Sequence, residues 1–497
     1  MSAGAVGRSV YPESMPGTPK VSSTRRLPAL TERPMDEAGS KLATTVARRI
    51  IGKVIELGWP VGEVLGSETE LIEQYGVSRA VFREAVRLVE NQQVAHMRRG
   101  PGGGLVVTEP TVDAIINAAV LYLHRVNARL DEVFEARLVL EEIVTELAPG
   151  RLDDADVAAL RRLIDDEGSG DVRDHRALHT MLASITENPA LEVFVDILNR
   201  VPVLYFRDPA AFTTTTFTQS HHAHARIAAA VIAGDTGLAR HRMRKHLQAE
   251  ADYLQGRRSS RQLLPDTVSL GTSVGSKRAE DVARTILKEI IVDDLPPGAL
   301  LGSETELIEQ YGVSRAVFRE AVRLLEHHHI AAMRRGPGGG MFVTPPSADA
   351  VTEVVAIYLV RRGMKVTDLA ELRIALELVL VELASQRIDT EGADRLRDAL
   401  EREKQSTDAE FADAGHDLHG VIASLAGNRA LELVALVLLR LTRLHQIRQL
   451  SDSARRKVAD EVPRTHEGIA AAIIDGDGEL ARYRMGRHLE VLARYLR

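Results

Sequence analysis

Four histidines in the first half of the chain, His175, His179, His224 and His246, and three in the second, His419, His466 and His488, are spaced in a way that points to metal chemistry. His224 and His246 each lie eleven residues from Asp235, which sits in the Gly-bounded turn "AGDTG", and His466 and His488 each lie eleven from Asp477 in "DGDG". If the flanking runs fold back as antiparallel helices rising 1.5 Å per residue, each histidine stands roughly 16 Å from its turn and the two come level. Two level imidazoles, joined by one or two from a third helix such as the i, i+4 pair His175 and His179, suit a divalent metal. Single histidines in helices more often cap, face solvent or bond within a core, and that reading stands beside the metal one.

A second constellation is cationic. The segment "LGSETELIEQYGVSRAVFREAVRL" at Leu65–Leu88 returns unchanged at Leu301–Leu324. Ser67 and Glu70 fit a capping box, so a short helix is expected from Glu68 to Tyr75. Gly76 supplies a turn residue tolerant of positive φ, and Ser78 caps a second helix from Arg79 to about Glu90. On that helix Val81, Phe82, Ala85, Val86 and Val89 gather on one side while Arg79, Arg83 and Arg87 form a stripe on another. "VAHMRR", "GPGGG" and "LVVT" then read as two short strands joined by a glycine-rich turn, a wing carrying Arg98 and Arg99. Arginine forks suit guanine O6 and N7 in a major groove, and wing arginines suit phosphates. The second copy repeats the set as Arg315, Arg319 and Arg323 on the helix and Arg334 and Arg335 on the wing. A stripe of arginines alone is more often solvated surface. Cap, turn, cationic helix and wing in sequence point instead to DNA. No Lys-Ser or Lys-Thr follows GPGGG, which removes a nucleotide-phosphate loop.

The elements that must carry these residues come in two rounds. At 497 residues, 44% hydrophobic and 27% charged, several domains are expected. Cysteine is absent, so disulfides and thiolate metal sites are excluded. The net charge of −7 means that any DNA binding must come from local basic patches. No stretch is apolar enough to span a bilayer, and the chain reads as cytoplasmic. "MRRGPGGG" repeats at the same offset as the identical segment, and "ENPALE" and "HLQ" are echoed by "GNRALE" and "HLE" at drifted offsets. Two units therefore lie head to tail. The reading is mainly α, with two winged helix-turn-helix domains alternating with two all-helical bundles. Residues 1–38 form a disordered tail, 39–109 the first winged domain, 110–255 the first helical domain and 256–275 a linker. Residues 276–345 and 346–497 repeat the pair.

"SETELIEQYGVSRAVFREAVRLVE" followed by "MRRGPGGGLVV" resembles the winged helix of the GntR family of bacterial transcription regulators. The resemblance implies that Ser78, Arg79, Ala80, Arg83, Arg99 and Gly100 face DNA, with Ser314, Arg315, Ala316, Arg319, Arg335 and Gly336 in the second copy. Thr69 and Thr305 stand where the family's first helix usually has arginine. "LHTMLASITENPALEVF", "LHGVIASLAGNRALELV" and "HARIAAAVIAGDTGLARHRMRKHL" resemble the helical FCD effector domain of the FadR-type branch. Many members of that branch hold zinc, nickel or a similar ion with one Asp and three His, and the ion helps hold a small carboxylate effector. Here His175 stands where the family has its aspartate, with Asp174 beside it, and Gly415 stands at the matching place before His419. The first domain is therefore the better expected metal site. Arg137 and Arg373, in "EARLVLEE" and "ELRIALEL", either meet an anionic ligand or pair at i, i+4 with Glu141 and Glu377. "HHH" at His327–His329 reads as a helix end.

Divergent helical halves beside identical reading segments suggest a dimer written as one polypeptide, acting on paired half-sites as a repressor under an organic-acid effector, with further homodimerisation open. A metal-dependent hydrolase would need a general base beside the metal, and none is specified. A helical scaffold that uses its winged domains for protein contacts is the other alternative.

Overall fold

Ser67 accepts a hydrogen bond from the Glu70 amide while the Glu70 carboxylate accepts from the Ser67 amide, and Ser303 and Glu306 repeat the pair. These reciprocal caps start the short helices as the sequence requires. In the computed structural model, residues 37–98, 100, 102–169, 176–202, 214–255, 270, 277–334, 336, 338–406, 411–446 and 452–495 are described. The expected N-terminal tail and linker, apart from their edges and Leu270, lie outside that set.

The first head comprises α1 (Glu37–Glu56), α2 (Glu68–Tyr75), α3 (Arg79–Asn91), β1 (Ala95–Arg98) and β2 (Gly104–Val107). Gly76 closes α2 at φ 64°, the left-handed conformation that turns the chain into α3. Phe82, Ala85, Val86 and Val89 of α3 are buried in one cluster with Val46, Ala47, Ile50 and Val54 of α1. Burying a side chain the size of Phe82 contributes about 1.5–3 kcal/mol. β1 and β2 pair antiparallel, setting Arg98 opposite Gly104. Gly104 has φ 158°, and a Cβ there would collide with the carbonyl oxygen of Gly66, so only glycine lets the wing close against the preceding strand-like segment.

The first helical domain follows as α4 (Val112–Arg125), α5 (Leu130–Leu147), α6 (Asp154–Ser169), α7 (Ala177–Ile185), α8 (Pro189–Arg200), α9 (Thr214–Ile232) and α10 (Thr236–Gln255). The second head is α11 (Lys277–Val292), β3 (Leu300–Gly302), α12 (Glu304–Tyr311), α13 (Arg315–His327), β4 (Ala331–Arg334) and β5 (Gly340–Val343). α14 (Ala348–Arg361), α15 (Val366–Arg387), α16 (Thr390–Gln405), α17 (Phe411–Leu425), α18 (Arg429–Gln446), α19 (Asp452–Ile474) and α20 (Gly478–Tyr495) complete the second bundle. Each head carries one pairing that the sequence reading lacks. β3 joins the second wing in the order β3-β5-β4, and Val64 bridges Val106 in the first. Three extended residues held by backbone bonds leave no alternating pattern to read.

The two bundles pack on each other through reciprocal contacts. Arg151 of one pairs with Glu371 of the other, and Arg387 answers with Glu135 at 2.6 Å. Asn188 donates to the carbonyl of Asp368 at 3.0 Å, and Asn428 to that of Glu132 at 2.8 Å. Residue i touching j while the repeat of j touches the repeat of i is the signature of a twofold interface, here within one chain. The heads are crossed onto this base. Ile357 of α14 is buried in the core of the first head, and Arg125 of α4 donates to the carbonyls of His329 and Thr344 in the second. Among the described residues no helix is long and apolar enough to cross a membrane.

Candidate functional site

Ser78 and Ser314 cap α3 and α13, each hydroxyl accepting from the amide three residues on at 3.3 Å. Their helices project equivalent arginines. Arg79 and Arg83 lie 3.5 and 2.9 Å from Glu68, and Arg315 and Arg319 lie 3.2 and 3.1 Å from Glu304. All four are well exposed, as are Ala80 and Ala316 beside them. Exposed pairs of this kind contribute about 0–1 kcal/mol, so a phosphate or base displaces the glutamate readily.

Other members of the sequence set have partners of their own. Arg87 bridges Glu84 and, across the heads, Glu326 of α13, each at 3.2 Å. Arg323 is exposed. Arg98 donates to the Gly102 carbonyl at 2.9 Å, holding the wing turn, whereas Arg334 lies 4.4 Å above the Phe342 ring. Gly100 and Gly336 take φ 98° and 101° in the wing turns. Arg99 and Arg335 lie outside the described residues.

The histidines converge as their spacing implies. α7, α9 and α10 bring His179, His224 and His246 together, all buried, with Nε2 of His246 3.3 Å from Nε2 of both others. His419, His466 and His488 repeat the cluster from α17, α19 and α20, with 3.1 Å between Nε2 of His466 and His488. Ring centroids are 5.3, 5.2 and 4.8 Å apart in the first triad and 5.2, 5.4 and 4.6 Å in the second. His175 lies outside the described residues.

What the sequence reading missed is the carboxylate behind two rings of each triad. Glu141 pairs with His179 Nδ1, and Glu167 with His224 Nδ1 at 3.0 Å. Glu377 and Glu403 do the same for His419 and His466, the latter at 2.8 Å. A carboxylate accepts the Nδ1 proton and leaves the Nε2 lone pair facing inward. Two such lone pairs beside the third imidazole form a donor set that a shared cation can join. Donors about 2.05 Å from a tetrahedral zinc stand roughly 3.3 Å apart, so the triads fit a metal of that kind. Glu141 and Glu377 sit four residues after an arginine and were legible only as its salt-bridge partners. Glu167 and Glu403 carry no local signal.

Arg137 and Arg373 both point inward and both make the i, i+4 pair. Arg137 donates to Glu141 at 3.0 Å and to Glu250 at 2.9 Å, leaving Nη2 buried without a partner. Arg373 pairs with Glu377 and reaches Thr442 Oγ1 at 3.4 Å. Burial opposes ionisation of Glu250, but Arg137 and the histidines outweigh it and hold its carboxyl at about 2. Burial pushes the Glu141 carboxyl up against the pull of Arg137, whereas Arg373 and His419 overcome burial and hold Glu377 low. Burial also lowers His246 to about 3 and lowers His419 and His488. A groove of about 400 Å³ between α9 and α10 reaches His246 and Glu250 and carries Arg226, Arg242 and Lys245.

Comparison with known proteins agrees with this layout. The model for bacterial regulatory proteins of the gntR family matches residues 42–105 and 278–343, and that for the FCD domain matches 132–249 and 368–491. The Bacillus subtilis HTH-type transcriptional regulator YcbG is 28% identical over 212 residues, covering 43% of this chain and 87% of its own length. The Escherichia coli HTH-type transcriptional repressor NanR is 27% identical over 222 residues, covering 41% and 80%. Each relative thus corresponds to about one of the two units. Among solved structures, Streptococcus agalactiae GntR is 25% identical and covers 44% of this chain and 99% of its own, with a TM-score of 0.35. The relatives are regulators, which sets aside the hydrolase and scaffold readings. Matched twice by both models, in the same alternating order as the heads and bundles, the chain belongs to the GntR family of bacterial regulatory proteins and is a DNA-binding transcription regulator with both domains in duplicate.

Proposed function

We propose that the protein is a cytoplasmic repressor that reads paired half-sites as a single-chain dimer, with a divalent metal in each bundle and a small organic acid as effector. The observation that carries the reading is the pairing of two reading segments identical over Leu65–Leu88 and Leu301–Leu324 with a reciprocal interface inside one chain. Covalent linkage makes engagement of the second head intramolecular, so both heads bind at low protein concentration. Arg79, Arg83, Arg315 and Arg319 would meet the major groove from α3 and α13, with Arg98, Arg99, Arg334 and Arg335 near the backbone. His179, His224 and His246, and likewise His419, His466 and His488, would hold the metal through Nε2; zinc or nickel suits these donors and provides a Lewis-acidic anchor for an anion. Because each head rests on the opposite bundle, ligand binding in one bundle would change the pose of the head crossed onto it.

Selection of bound DNA from a random pool tests the reading. One short motif recovered twice at a spacing of one or more helical turns is the expected result. A lone motif would overturn the paired reading, and transcription from a promoter carrying the selected site, rising in the presence of the protein, would overturn repression.

A further inference from the structure

We infer that the two histidine triads divide the work: the first is closed by the chain's own Glu250, and the second, where Leu492 stands in its place, takes the carboxylate of a small acid beside Arg373. The inference rests on the reading of the triads as metal centres. "HLQAEADYL" from His246 and "HLEVLARYL" from His488 align without a gap, and that alignment sets Glu250 against Leu492.

Glu250 lies between the guanidinium and the triad. One of its oxygens accepts from Arg137 Nη1 at 2.9 Å, and the other is 4.0 Å from His246 Nε2. A carboxylate placed there neutralises the arginine and faces the point on which the three Nε2 atoms converge. In the second bundle Arg373 has Glu377 as its one carboxylate among the described residues, and its Nη1 reaches a hydroxyl at 3.4 Å. The position matching Glu250 holds an apolar, half-buried side chain.

The charge balance differs accordingly. Around the first triad, among the described residues, one guanidinium faces three carboxylates, Glu141, Glu167 and Glu250. With neutral imidazoles, a divalent metal brings that set to zero. Around the second triad, among the described residues, one guanidinium faces two carboxylates, Glu377 and Glu403, and the same metal leaves one positive charge. An uncompensated buried charge is unfavourable, so the second site draws in one monovalent anion. The planar fork of Arg373 beside a metal suits a carboxylate, and Leu492 offers the acid's carbon chain an apolar wall. Glu250 in the first bundle supplies from within what the second takes from solution.

The experiment uses the full chain loaded with cobalt(II), whose visible bands report changes in its ligands, and titrates it with acetate. Two cobalt ions per chain with half of the absorbance responding is the expected result. Glu250→Leu should give a second responding ion. Leu492→Glu should weaken acetate binding at least tenfold with both ions retained, whereas Leu492→Gln, of similar size without charge, should not. Circular dichroism checks that each variant folds, and if Leu492→Glu does not, the Glu250→Leu result decides. Two ions that respond alike in the unaltered chain, or a Glu250→Leu chain with one responding ion, would overturn the division and leave the metal reading standing. Failure to take up cobalt would overturn both.

Discussion

Replacing Arg83 and Arg319 by alanine, singly and together, tests whether the two heads are equivalent readers. Both side chains are mostly exposed, at 65% and 62%, and each is held by one glutamate, at 2.9 and 3.1 Å. Losing such a pair costs about 0–1 kcal/mol of stability, so the variants should fold as the parent does. A bidentate arginine–guanine contact is worth about 1–3 kcal/mol, so each single substitution should weaken binding to a selected operator by roughly fivefold to 150-fold. The two sites lie in different heads and share no partner, so their free energies should add, and the double variant should lose roughly 25-fold or more. Fluorescence anisotropy at several salt concentrations separates base from phosphate contact, because a lost phosphate contact lowers the salt slope by about one. Glu68→Gln, which frees Arg79 and Arg83 and removes a charge of the same sign as the phosphates, should tighten binding severalfold. Single variants differing from each other by more than about threefold would refute equivalent heads, and unchanged affinity in the double variant would refute docking through α3 and α13.

Other consequences are independent of the operator. Zinc at one hundred times its dissociation constant should stabilise each bundle by about 2.7 kcal/mol; calorimetry of His224→Ala and His466→Ala should each lose one such increment, and an unchanged response in both would exclude the triads as the metal sites. His124 is buried with both ring nitrogens unpartnered, and burial lowers it from 6.5 to about 4. Its folded form resists protonation, so stability is complete above about pH 6.5 and falls by on the order of 3 kcal/mol as pH drops through 4. His124→Val, the residue that Val360 supplies at the matching place, should flatten that loss in urea titrations, and an identical acid profile would refute the assignment. Gly104→Ala, whose Cβ would meet the Gly66 carbonyl, should destabilise the first head by about 1–3 kcal/mol. Trp59, the single tryptophan, donates to the Thr108 carbonyl at 2.7 Å just beyond β2, so its emission reports that transition; an unshifted melt would show that the wing tolerates a side chain there.

The sequence by itself determined the features governed by near neighbours. The capping boxes at Ser67 and Ser303, the left-handed Gly76 and Gly312, and the helices Glu68–Tyr75 and Arg79–Asn91 follow from side chains reaching three or four residues along the chain. The eleven-residue symmetry about Asp235 and Asp477 placed each histidine pair level, because a helix has a constant rise and the intervening turn is tight. Tertiary structure decided what joins distant segments. Glu167 meets His224 across 57 residues and Glu403 meets His466 across 63, with no periodicity to announce either. The bridge from Arg87 to Glu326 and the seating of Arg125 and Ile357 on opposite heads likewise depend on how two units, each able to fold by the same local rules, settle against one another. Glu250 and Leu492 hold matching places in helices that align without a gap, and the exchange acquires meaning only where folding sets Arg137 against Glu250 and leaves Arg373 without a matching carboxylate among the described residues, because charge compensation depends on distance in space.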